Sequence, residues 1–180
     1  NYCDYIIMNP NNVKPTFRDL SSRLATIGVL IADDDRRISM IIRKVLESLG
    51  FKNIYLANDG SKALDIIKTQ KIDMLITDWH MSPMDGISLV KYLRRSDESP
   101  NRFLPIIMLT GNVEREHVET ARDNGITEFV IKPFSAKTLC DRITLLIDSP
   151  RGFVINKNFV GPDRRRRSIL PPDEIEKRRK

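Results

Sequence analysis

The sequence predicts an α/β fold: a doubly wound, five-stranded parallel sheet with helices on both faces. Three observations carry that expectation. Between residues 27 and 147, short apolar runs of strand length alternate with segments of helical period. The runs are apolar throughout, as strands covered on both faces are. Several of them end in residues that do chemistry, namely Asp33 and Asp34, Asp78, Thr110 and Lys132. Sheets of this kind bind their ligands just outside the carboxyl ends of their strands.

The elements follow in order. Residues 27–32 form an apolar run of strand length. Ile38, Ile41, Ile42, Val45, Leu46 and Leu49 then keep helical spacing, and Gly50 supplies the stop. Residues 53–57 read as a weak strand and 61–69 as a helix, with Ala63, Leu64 and Ile67 on one side. Residues 72–77 are a buried strand, and the loop 80–85 leads into a helix over 86–95. A strand over 104–109 includes Pro105, which donates nothing to a ladder. A helix over 113–124 takes Asn112 as N-cap and Gly125 as its end. Residues 127–131 are the fifth strand. Ser135 caps a last helix whose inner face is Leu139, Ile143 and Leu146. Right-handed crossovers turn these five units into one layered sandwich.

Around this unit, residues 1–25 read as an N-terminal arm, with a short helix near 17–24. Residues 26–148 are the α/β domain and 149–180 a basic tail. In the tail, apolar residues flank Asn156-Lys157-Asn158, as in a small hairpin or an extended segment, and Gly161-Pro162-Asp163 is a turn signal. Net charge is +6, of which residues 148–180 contribute +5. The basicity therefore belongs to the tail. No apolar run approaches the roughly 18–20 residues that span a bilayer, so membrane insertion is not expected. The chain start shows no signal-peptide core. Cys3 and Cys140 match no metal-ligand spacing, and a reduced cytoplasmic setting is the default.

The strand ends suggest phosphoryl chemistry. A carboxylate can attack phosphorus and become an acyl phosphate. Asp34 and Asp78, with Asp33 beside them, also suit Mg²⁺, a hard cation that binds through one or two carboxylates, phosphate oxygens and water. Lys132 can pair with a phosphoryl group and the Thr110 hydroxyl can hydrogen-bond it. The bland alternatives are a solvated acidic turn at Asp33–Asp35, an ordinary strand-end Thr110 and a surface Lys132. Their joint occurrence at successive strand ends argues against all three. Asp35 reads as an exposed or capping residue, Trp79 as a packing residue, and His117 and Cys140 as plain helix residues.

At these positions the chain resembles the receiver domains of two-component response regulators, in pattern the single-domain, chemotaxis-like ones. The matching pieces are Asp33-Asp34, Asp78-Trp79-His80-Met81 with Met84-Asp85-Gly86, Thr110-Gly111 and Lys132-Pro133-Phe134. The resemblance covers about residues 27–147. It implies the flavodoxin-like strand order 2-1-3-4-5. It also implies Asp78 as phosphoacceptor, and Asp34, Asp78, Asp33 and the His80 backbone carbonyl as the Mg²⁺ site. Thr110, Gly111, Lys132 and Phe129 would be the phosphoryl-binding and switch residues, with a cis Lys132-Pro133 peptide. The implied partners are a sensor histidine kinase or phosphotransfer protein, and a protein target met by the fourth helix, fifth strand and fifth helix, with control of motility or chemotaxis as an output. Such a chain is a signalling phosphoacceptor, an enzyme only toward its own phosphorylation and dephosphorylation.

Three departures stand out. Proline comes one position late, in Met81-Ser82-Pro83. His80 lies two residues past Asp78, where side-chain identity can tune dephosphorylation. Phe129 has no hydroxyl, so its switching works by packing alone.

The run Arg164-Arg165-Arg166-Arg167 after Asp163 has its own readings. It is a solvated basic tail, a nonspecific anion-binding segment, or a recognition element for phosphate and guanine, which guanidinium groups bind bidentately. The last resembles the arginine-rich extensions of chemotaxis-like regulators that bind cyclic di-GMP. A cyclic di-GMP adaptor in which phosphorylation is secondary is therefore the alternative function. No helix-turn-helix fits in the tail, so specific DNA reading is not expected. A dehalogenase-type phosphatase is excluded, because Asp33-Asp34-Asp35-Arg36-Arg37 lacks its D-x-D pattern followed by Thr or Val.

Overall fold

The computed structural model describes residues 22–111, 119–120, 122–156 and 159–163. Its elements are β1 (Gly28–Ala32), α1 (Arg36–Leu49), β2 (Asn53–Ala57), α2 (Gly60–Thr69), β3 (Met74–Asp78), α3 (Gly86–Arg95), β4 (Ile106–Thr110), β5 (Glu128–Ile131), α4 (Ala136–Asp148), β6 (Phe153–Asn156) and β7 (Phe159–Pro162). The first five strands form one sheet in the order β2-β1-β3-β4-β5, with all neighbours parallel. This is the expected strand order. The expected helix over 113–124 lies largely outside the described residues; its last turn is helical and ends on Gly125, at φ 85°. Of the arm, Ser22–Leu24 are helical and the rest lies outside.

Apolar strand sequence becomes two-sided burial. β1, β3 and β4 are buried at all five positions. Successive side chains point to opposite faces, and two cores result. One packs Leu30, Leu75, Ile106 and Met108 under α2 and α3. The other packs Val29, Ile31, Ile76, Ile107 and Leu109 under α1 and α4. Leu139, Ile143 and Leu146 of α4 are buried as their spacing predicts.

Local chemistry sets the helix ends. Asp35, Asp59, Asp85 and Ser135 each accept backbone N–H bonds as N-caps. Gly50 ends α1 in the left-handed region at φ 104°.

Some boundaries move. β3 starts at Met74 and includes Asp78, so the Asp78 carboxylate leaves the last position of the strand. β4 starts after Pro105, whose carbonyl accepts from Leu75 N. Both Ser82-Pro83 and Lys132-Pro133 are cis; only the second was expected.

The tail segment forms an antiparallel hairpin, pairing Phe153 with Pro162 and Ile155 with Val160. The turn expected at Gly161-Pro162-Asp163 is corrected here: Gly161 and Pro162 lie inside β7. Cross-strand pairing and close packing of Gly161 on Gly125 outweigh local turn preference.

Arg94, near the end of α3, is only 1% exposed. Its Nε, Nη1 and Nη2 donate to the carbonyls of Gly125, Arg102 and Leu104 at 3.0, 2.8 and 2.7 Å. Burial lowers its pKa to about 10, so it stays charged at neutral pH. Its guanidinium lies over the Phe153 ring, 5.2 Å from the centroid.

Candidate phosphoryl and metal site

The site lies at the carboxyl edge of the sheet. β1 delivers Asp33 and Asp34, β3 delivers Asp78, and β5 delivers Lys132. Carboxylate oxygens of Asp33, Asp34 and Asp78 all lie within 4.8 Å of one another. Lys132 Nζ donates to Asp33 Oδ2 and stands 3.0 Å from both that oxygen and Asp78 Oδ1.

Neighbouring backbone and hydroxyl groups hold Asp33, Asp78 and Lys132. Asp35 N donates to Asp33 Oδ1 at 2.9 Å, and the Ser39 hydroxyl donates to the Asp33 carbonyl at 3.3 Å. Thr77 Oγ1 donates to the Asp78 carbonyl at 3.0 Å. Gly86 packs against that carbonyl so closely that a Cβ there would strike it. Trp79 N donates to Leu109 O and Gly86 N to Trp79 O, both at 3.0 Å, which closes the loop after Asp78. Lys132 N donates to Thr110 O at 2.7 Å, so the Thr110 and Lys132 positions are fastened together.

The electrostatics follow from burial and pairing. The Asp33 side chain is fully buried and that of Lys132 is 19% exposed. Burial raises the Asp33 pKa above 3.8, although Lys132 and the Asp35 N–H pull it down. Burial alone would lower the Lys132 pKa, but its hydrogen bonds to Asp33 and Asp78 outweigh that and raise it above 10.5. Asp35, beside the site, is held at about 2 by the Arg37 guanidinium.

The donor set fits a hard divalent cation. Every candidate ligand atom is oxygen, which Mg²⁺ prefers. Three carboxylates face one ammonium, which leaves negative charge that a divalent ion would offset. Asp34 is exposed, so an ion has access. A cavity of 640 Å³ opens beside it, lined by Asp33, Asp34, Arg36, Leu56, Lys62 and Ile66.

The other expected residues place as follows. Thr110 is buried, at 3% exposure, at the end of β4. Gly111 is exposed, with open space where a Cβ would stand. Phe129 is half-buried against the core under α2 and α3, the same cluster that holds Trp79. The His80 side chain is exposed, its ring 6.4 Å from that of Trp79. Arg164–Arg167 lie outside the described residues; Asp163 N donates to Gly152 O at 2.7 Å.

Sequence reasoning missed the clamp on the loop that follows Asp78. Gly60 N donates to Met84 O at 2.9 Å, and a Cβ on Gly60 would come within 2.6 Å of Met84 Cγ. A glycine directly after the capping Asp59 was the available signal.

Residues 29–144 match the family described as "Response regulator receiver domain". The chain is 35% identical over 120 residues to the chemotaxis protein CheY-3 of Vibrio cholerae, covering 67% of this chain and 91% of that protein. It is 34% identical over 124 residues to the chemotaxis protein CheY of Pseudomonas aeruginosa, covering 69% and 98%. Among solved structures it is similar to chemotaxis protein CheY4 of Vibrio cholerae, with TM-score 0.61, 31% identity and coverage of 67% and 98%. It is also similar to the receiver domain of a Pseudomonas aeruginosa sensor histidine kinase with a magnesium ion coordinated in its active-site cleft. That likeness has TM-score 0.61, 28% identity and coverage of 68% and 98%.

Proposed function

Since this chain belongs to the response regulator receiver-domain family, we propose that it is a two-component signalling switch whose phosphoacceptor is Asp78. The carrying observation is the Lys132 ammonium set 3.0 Å from both Asp33 and Asp78 beside the three-carboxylate cluster.

An Asp78 carboxylate oxygen attacks the phosphorus of a phosphohistidine on a sensor kinase or phosphotransfer protein. The new O–P bond forms as the N–P bond breaks, and the imidazole leaves with its electron pair. Asp34, Asp78, Asp33 (through water) and the His80 carbonyl are the groups that would hold Mg²⁺, which supplies charge neutralisation on the transferring group. Lys132 and the Thr110 hydroxyl bind the phosphoryl oxygens, and the Gly111 backbone gives room beside them. The protein's contribution is positioning and electrostatics. Hydrolysis of the acyl phosphate resets the switch, and the chain turns over no other substrate.

The output is a population shift. Thr110 moves toward the phosphoryl group and Phe129 repacks. The surface of the fourth predicted helix, β5 and the last helix changes its affinity for a protein target. Chemotaxis relatives support motility control as the pathway class. Among the described residues no helix is long and apolar enough to cross a membrane. The test is incubation with a small acyl phosphate and Mg²⁺. Mass spectrometry should find one phosphoryl group on the wild type and none on Asp78→Asn.

The charge distribution favours a second reading, in which Asp163 and Arg164–Arg167 bind cyclic di-GMP. Nearly all the net positive charge falls in residues 148–180. Calorimetry should then show saturable dinucleotide binding that survives Asp78→Asn and is lost when the four arginines become alanine.

A further inference from the structure

The β6–β7 hairpin lies beyond the residues matched to the family, and the proposed reaction makes no use of it. Its contacts converge on one place, the base of β4 and β5, at the edge of the sheet opposite the acceptor site. Phe153 meets Phe103 edge-on at 5.4 Å and covers the Arg94 guanidinium at 5.2 Å. Arg94 in turn holds the carbonyls of Arg102, Leu104 and Gly125, the residues that lead into β4 and β5. Gly161 presses on Gly125: a Cβ on Gly161 would stand 2.6 Å from Gly125 Cα. A Cβ on Gly125 would strike the Val160 carbonyl. Just before the hairpin, Arg151 donates at 2.6 Å to Glu128, the buried first residue of β5. Arg142 of α4 reaches the same carboxylate at 3.4 Å.

β5 is therefore held at both ends by charge. Glu128 is gripped at its base by two arginines. Lys132, directly after its top, is gripped by Asp33 and Asp78. The two residues are about 13 Å apart at the usual rise of roughly 3.3 Å per residue. β5 is an edge strand with one neighbour, so its position depends on those end contacts more than that of an inner strand. The hairpin's outward face does little to hold it, since Val154 and Ile155 are 37% and 63% exposed. Among the described residues the Phe153 ring, the Gly125–Gly161 pair and the Arg151–Glu128 ion pair fasten it, contacts local enough for docked and released packings to interconvert.

We propose that the hairpin is a strap on β5, docked at the base of the sheet and coupled through that strand to occupancy of the acceptor site at its top. A loaded site fixes Lys132 and hence β5, and a fixed β5 holds the strap more firmly. The strap is also the covalent bridge from the receiver to the basic segment after Asp163. This inference rests on the phosphoacceptor reading.

The test uses the full chain with Mg²⁺ and beryllofluoride, an acyl-phosphate mimic. Trp79, the only tryptophan, reports loading by its fluorescence, and hydrogen exchange across residues 150–156 and 159–163 reports the strap. Loading should slow exchange in the strap by about fivefold or more, and Phe153→Ala should weaken beryllofluoride affinity by a similar factor, because coupling is reciprocal. Phe153→Leu, which keeps apolar contact and loses the ring over Arg94, should fall between. Normal loading with strap exchange unchanged or faster would overturn the coupling and leave the phosphoacceptor reading standing. No loading, together with no phosphoryl adduct on Asp78, would overturn both.

Discussion

Lys132 Nζ stands 3.0 Å from Asp33 Oδ2 and 3.0 Å from Asp78 Oδ1, so one ammonium bridges carboxylates from β1 and β3. It does so from the end of β5, two strands away from β3 in the sheet. This bridge keeps the carboxylates together when no cation assists, and it is what a phosphoryl group would partly take over.

Removing the bridge should show as stability that depends on Mg²⁺. Lys132→Met leaves Asp33 buried and facing Asp78 without its cation. Breaking a fully buried pair costs roughly 3–5 kcal/mol. Lys132 and Asp78 retain solvent contact, so about 1–3 kcal/mol is expected here. Urea unfolding with and without Mg²⁺ checks it: the variant should recover more stability from Mg²⁺ than the wild type does.

Asp35 gives the pH dependence a definite sign. Its pKa is lowered from 3.8 to about 2 by Arg37. A depressed carboxylate stabilises the fold above its unfolded pKa, and that contribution is lost as pH falls through the folded value. Asp35→Asn keeps a side chain able to cap α1 and removes the charge. The melting-temperature gap between wild type and variant should be constant from pH 7 to 5 and close between 3.8 and about 2. Asp33 works in the opposite sense: its pKa is raised, so ionising it costs stability as pH climbs above 3.8.

Gly60→Ala should disturb the loop between Asp78 and α3. The new methyl would meet Met84 Cγ at 2.6 Å and Met84 O at 2.9 Å. Overpacking of this kind costs about 1–3 kcal/mol. Met84→Ala in the same chain should relieve the side-chain clash but not the one with the carbonyl. Partial recovery of melting temperature and of the Mg²⁺-dependent Trp79 signal is therefore expected.

His80→Asn should change the lifetime of the phosphorylated state. The His80 side chain is exposed two residues past Asp78, where it can crowd or admit the attacking water. Phosphoprotein decay, followed by mass spectrometry, should differ severalfold between the wild type and the His80→Asn variant, with Asp78 labelling itself unchanged. Equal decay rates would remove His80 from the account.

Much of this was legible because period and caps agreed with the fold. The apolar runs gave β1, β3 and β4, helical spacing with Gly50 gave the body and end of α1, and the Ser135 hydroxyl gave the start of α4. The Asp33, Asp34, Asp78 and Lys132 convergence followed from strand ends alone, since a parallel sheet puts those ends on one edge. What stayed hidden depends on contacts between distant segments. Nothing in the sequence marks Arg94 for burial, which three carbonyls and the Phe153 ring make possible. Glu128 opens a strand and gives no hint that Arg142 and Arg151 converge on it. Gly161-Pro162 carries turn chemistry but is drawn into β7 by pairing with Phe153 and Val154 and by contact with Gly125.

The most direct measurement is Mg²⁺-dependent phosphorylation of the full chain by a small acyl phosphate, with the modified residue located by peptide mass spectrometry. The account expects one phosphoryl group, on Asp78, formed only with Mg²⁺ and strongly reduced in Asp34→Asn. A chain that takes up no phosphoryl group, or takes it up equally well after Asp78→Asn, would contradict it.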